Sequence, residues 1–83
     1  MYLHVGQETI LPFADIVGIF DLDNTTVSRH SRDFLKRAQE EGNIVDVTTE
    51  LPKSFILCGS GKIYLSQIST ATLVKRAQMF HNR

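Results

Sequence analysis

The sequence predicts a small α+β fold of short, mostly antiparallel strands and two helices, in the order β-β-β-α-β-β-β-α, within one domain spanning residues 1–83. Three observations lead there. Short apolar runs alternate with glycine- and proline-bearing turns, the pattern of a sheet of short strands. Two stretches switch to near-helical spacing of their apolar residues. The 83 residues leave no room for a doubly wound parallel sheet, because each strand-helix-strand unit takes roughly thirty residues.

Each element has its local reason. Tyr2–Val5 and Thr9–Leu11 read as a hairpin about Gly6, and Pro12 limits continuation of the second strand. Ile16–Phe20 is the most strand-like apolar run and reads as a buried strand followed by a polar turn over Asp21–Thr26. From Val27 onward, Val27, Phe34, Leu35 and Ala38 form one helical face, while Arg29, Arg32, Lys36 and Arg37 take the others. Ser28 can cap this helix, and Gly42 can end it in the left-handed conformation. Glu40 and Glu41 oppose the dipole at its C-terminus. Strands follow at Ile44–Val47, Ser54–Cys58 and Lys62–Ser66, the last two joined by the tight reversal Gly59-Ser60-Gly61. Ser69 caps the final helix, with Ile68 placed against Leu73 as a hydrophobic staple and Leu73, Ala77 and Phe80 along one face.

The charge is balanced overall and divided along the chain. Residues 1–51 carry all nine acids against four cations, whereas residues 52–83 carry Lys53, Lys62, Lys75, Arg76 and Arg83 and no acid. If the fold sets the two halves on opposite faces, copies attract head to tail, and such an arrangement closes into a ring or extends as a filament. A core of this size rarely supplies more than about 3 to 5 kcal/mol alone, so a homo-oligomer is expected.

The segment Ile19-Phe20-Asp21-Leu22-Asp23-Asn24-Thr25-Thr26 imitates the nucleophile motif of aspartate-based phosphohydrolases, with Asp21 as nucleophile and Asp23 as acid and base. That chemistry also needs late metal-binding acids, and no acid follows Glu50. No enzyme and no catalytic residue are therefore expected. Gly61-Lys62 leads into a strand rather than a helix, which argues against a phosphate-cradling loop. Cys58 is the single cysteine, inside an apolar run, and reads as a small buried hydrophobe. His4, His30 and His81 lack metal-ligand spacing, so no metal and no cofactor are expected. No apolar run approaches the length of a membrane span, and Met1–His4 does not read as a signal peptide, which predicts a cytoplasmic chain with no membrane partner.

Four segments taken together, Met1–Gly6, Asp15–Asp21, Pro52–Ser54 and Ser66–Ala77, give the chain a resemblance to the extracellular-matrix regulatory proteins of bacteria, in their RemB branch. Their order and spacing carry the resemblance nearly end to end. It implies a cytoplasmic, non-enzymatic regulator of biofilm-matrix gene expression in Gram-positive, spore-forming bacteria. The related RemA branch implies a ring of small subunits that binds DNA through arginines. Those arginines would fall near Asp15 and the Leu51–Pro52 turn, and neither place holds one here.

DNA contact is then expected from Lys53, in that turn, with Lys62, Lys75 and Arg76 extending a positive rim. Weak contacts repeated around a ring gain roughly 10² to 10⁴ in avidity. The alternative is a protein-interaction or structural ring module that acts through a related regulator without binding DNA.

Overall fold

A computed structural model describes residues 1–22 and 29–81, the side chains of residues 29–31 and 79–81 excepted. The expected element order is observed: β1 (Tyr2–Gly6), β2 (Thr9–Pro12), a 3₁₀ turn (Phe13–Asp15), β3 (Ile16–Asp21), α1 (Arg29–Glu40), β4 (Ile44–Asp46), β5 (Ser54–Cys58), β6 (Ile63–Ser66) and α2 (Thr70–His81). Strand limits agree with the sequence reading to within one residue. Val27, Ser28 and Asp23–Thr26 lie outside the described residues, as does the Phe80 side chain.

The strands divide into two sheets. β1 and β2 form an antiparallel hairpin, and the other four make a sheet in the order β3-β5-β6-β4. β3, β5 and β6 pair antiparallel, whereas β4 lies parallel to β6.

Alternation along β5 builds the layers, because successive side chains leave opposite faces of a strand. Ile56 and Cys58 face a core shared with Leu3, Val5, Leu11, Val47 and Leu73, under the β1–β2 hairpin and α2. Phe55 and Leu57 face a second core with Ala38, Ile63, Leu35, Ile44 and Leu65, under α1. The hairpin and α2 thus cover one face of the sheet, and α1 covers the other.

Two sequence expectations change. β3 is an edge strand and not a buried one: Val17 is 67% exposed and Phe20 44%, although Phe20 still stacks on Phe55 with ring centroids 4.9 Å apart. A bulge between Ile16 and Gly18 interrupts its pairing with β5, a common device at sheet edges. On α1, Leu35 and Ala38 do the packing while Phe34 is 45% exposed.

The end of α1 follows from Gly42, whose φ of 75° is left-handed. Asn43 N donates to Ala38 O at 2.9 Å and Gly42 N to Gln39 O at 3.1 Å, the paired bonds of a Schellman cap. A Cβ on Gly42 would meet nothing within 4 Å. Gly42→Ala is accordingly expected to lower stability by roughly 1–2 kcal/mol through backbone conformation alone, read as a lower urea midpoint with an unchanged slope. At Gly6 the constraint is doubled. Its φ is 146°, and an added Cβ would press on Val47 Cγ2 and O at 3.3 Å.

Candidate nucleic-acid interface

Two buried serines fix the end of the sheet where Lys53 emerges. Ser54 and Ser66 are register partners on β5 and β6, both fully enclosed. Ser54 Oγ donates to Ile68 O at 2.7 Å, Ser66 Oγ donates to Val5 O, and Ile68 N donates to Ser66 Oγ at 3.0 Å. Each hydroxyl therefore satisfies backbone groups that would otherwise be buried unpaired. Thr49 N and Oγ1 both donate to Gln67 Oε1, at 2.9 and 3.1 Å, which ties the loop before β5 to the loop before α2.

That loop sets the start of α2. Ser69 Oγ accepts from Thr72 N at 3.3 Å, so Ser69 is the predicted cap. Ile68 packs on the core that contains Leu73, as the staple requires.

The four cations expected to touch DNA do not converge. Lys53 precedes β5 and is exposed, held by Lys53 N to Ser66 O at 2.8 Å and Leu22 N to Lys53 O at 2.8 Å. Lys62 is exposed in the β5–β6 reversal, which is closed by Cys58 N to Lys62 O and Gly61 N to Cys58 O, both 2.9 Å. The five-residue length of β5 separates the two lysines by about 17 Å along the strand. Lys75 is exposed on α2, on the hairpin side of the sheet, and the Arg76 guanidinium donates to His4 O at 3.2 Å. The four therefore sit at two ends and on one face, because β5 and β6 reverse direction between the first two.

Cations missed by the sequence reading approach the Lys53 end instead. Arg32, Leu35, Lys36 and Gln39 occupy i, i+3, i+4 and i+7 of α1, one helical stripe. With Leu22, Ile44, Asp46, Pro52 and Leu65 they line a cleft of about 580 Å³. Lys53 emerges one residue beyond Pro52, and Leu51, on the other side of Pro52, is 86% exposed. The helical spacing of Arg32 and Lys36 is visible in the sequence; that their stripe faces the 51–53 turn depends on how α1 crosses the sheet.

Acids share this end. Asp21 closes β3 opposite Ser54, and Asp46 ends β4. Asp46 Oδ1 accepts from Thr48 Oγ1 and from Thr48 N at 2.9 Å, and these bonds hold its carboxyl below the usual range, so it stays ionised. Asp21, the imitation nucleophile, is on an edge strand and is not among the residues lining the cleft. Cys58 is buried, and burial, followed by the charge and hydrogen bond of Asp15, pushes its thiol up, away from the thiolate that nucleophilic chemistry requires.

On the opposite face, Phe13, Ile19, Val74, Ala77 and Gln78 line a shallow apolar groove of about 220 Å³ between α2 and the β3 edge. Among the described residues no helix is long and apolar enough to cross a membrane.

Residues 2–77 match the family described as RemA-like, extracellular matrix regulatory protein A-like. The chain is also similar to extracellular matrix regulatory protein B of Bacillus subtilis (strain 168), with 37% identity over 78 residues that cover 94% of this chain and 91% of that protein. The family match spans nearly the whole described fold, from β1 into α2, and on that ground the chain belongs to the RemA-like family of extracellular matrix regulatory proteins.

Proposed function

We propose that the protein is a non-enzymatic cytoplasmic regulator of extracellular-matrix gene expression that acts as a closed ring of identical subunits and contacts DNA through Lys53, Arg32 and Lys36. The regulatory role follows the family and the name of the Bacillus relative. The observation that carries the contact site is the α1 stripe that brings Arg32 and Lys36 to the cleft bordered by Pro52, beside Lys53. Lys53 stands at the Leu51–Pro52 turn, one of the two places, with the neighbourhood of Asp15, where the resemblance puts the related branch's arginines. Positioning on phosphates needs only cations within reach of a backbone, so sequence preference would come from DNA shape.

Gel retardation across a salt series tests this. Retention at low salt should fall steeply as salt rises, with a slope of about −0.9 per neutralised phosphate. Lys53→Glu should weaken it strongly, whereas Lys62→Glu, at the far end of β5, should act less. No retardation of any duplex at low salt would end the DNA reading.

A second reading has its own support. Asp21 and Asp46 share the Lys53 end, and an acid-and-base mosaic suits a protein partner better than a polyanion. In that case the ring would act on a related regulator without touching DNA.

Assembly is proposed to be head to tail. The exposed Lys75 of α2 lies on one face of the sheet and the exposed Glu40 and Glu41 end α1 on the other, so a cationic face of one copy can meet an acidic end of the next. The β3 edge, which pairs with one strand among the described residues, and the apolar groove beside Val74 supply a strand edge and apolar area for that junction.

A further inference from the structure

The cleft under α1 combines features that a solvated helix face lacks. Its lining is largely apolar, from Leu22, Leu35, Ile44, Pro52 and Leu65, and its volume of about 580 Å³ falls within the range of small-molecule sites. Two cations one helical turn apart, Arg32 and Lys36, border it. Long basic side chains lay their stems on apolar surface and keep the charged head at the water boundary, which sets two cationic heads above an apolar floor. Asp46 contributes one negative charge, and its bonds from Thr48 fix where that carboxylate sits. Among the described residues that line the cleft, two cations against one carboxylate leave a single positive charge.

We infer that this cleft binds a small amphiphilic monoanion: a carboxylate or sulfonate head held between Arg32 and Lys36, with an aliphatic or aromatic body on Leu35, Ile44 and Leu65. An uncharged apolar molecule would forgo both cations. A charge-assisted bond from a guanidinium to an oxyanion is about twice as strong as a neutral one, so the head group decides the affinity.

The test uses the whole native protein with anilinonaphthalene sulfonate, an aromatic monoanion whose emission rises and shifts to the blue in apolar surroundings. Saturable binding at one site per chain is expected, with displacement by decanoate below its micelle concentration. The double variant Arg32→Glu/Lys36→Glu should weaken binding by about tenfold or more, since removing one charge-assisted hydrogen bond costs roughly that factor. Both residues are exposed, so the fold should survive, and an unchanged near-ultraviolet dichroism spectrum confirms that. Lys62→Glu, a charge reversal at the far end of β5 and outside the cleft, should leave the titration unchanged. The assignment is overturned if binding is absent or unsaturable, if the double variant binds like the parent, or if Lys62→Glu weakens binding as much as the double variant does. The titration contains no DNA, so its outcome is independent of the gel-retardation result.

Discussion

Phe55→Ala should cost about 3–5 kcal/mol, the range for emptying a buried aromatic site. The ring is buried between β3 and β6, opposite Phe20 on one strand and Leu65 on the other, and it packs with Ala38 and Ile63 beneath α1. Its removal therefore loosens the sheet and the seat of α1 together. The Phe20 ring, only 18° from parallel with it, would lose its stacking partner. Against a total stability of roughly 5–15 kcal/mol for a natural domain, such a loss leaves little folded protein in mild urea. Urea denaturation followed by circular dichroism reads it, and Phe34→Ala is the comparison. Phe34 keeps nearly half its surface in water, so its truncation should cost far less. Equal midpoints for the two variants would contradict the assignment of Phe55 to the α1-side core.

Under the proposed head-to-tail assembly, Val74→Glu is expected to reduce the mass in light scattering at micromolar concentration to that of a single chain. Val74 is 39% exposed and lies with Phe13, Ile19 and Ala77 on the groove beside the β3 edge. A carboxylate buried at a subunit junction without a partner is costly, so the variant should separate copies rather than loosen them. It should also leave the fold intact, because the inward-facing residue of this turn is Leu73, which is fully buried. Lys75→Glu, one residue on, should weaken assembly only in part and mainly at low salt, where charge attraction acts over longer distances. An unchanged mass for Val74→Glu would move the subunit junction elsewhere, and a monomeric parent protein would remove it.

The local chemistry of the chain is legible in its sequence, and its long-range arrangement less so. Gly42, Ser69 and the Gly59–Gly61 reversal each need only their own neighbours, and each appears where the sequence places it. The strand character of Ile16–Asp21 is equally plain. Its edge position is not, because an apolar run states that a segment is extended without stating how many neighbours it has. The parallel pairing of β4 with β6, and the separation of the hairpin from the larger sheet, depend on packing between distant segments.

The candidate site shows the same division. Lys53 stands in its expected turn, whereas Lys62 is close to it only in chain order. The reversal at Gly59–Gly61 carries Lys62 to the far end. Arg32 and Lys36 read as solvated charges within the acid-rich half, and only the packing of Leu35 and Ala38 on the sheet turns their stripe toward Pro52.

The Ser66 hydroxyl reaches the Val5 carbonyl across 61 positions of chain, and the Arg76 guanidinium reaches His4 across 72. During synthesis, the hairpin formed by β1 and β2 must therefore wait, with one side bare, until some sixty further residues have left the ribosome. A nascent chain stalled before Ser66 would carry that hairpin without its floor, open to protease. Protection should arrive in one late step, when α2 emerges and closes over it.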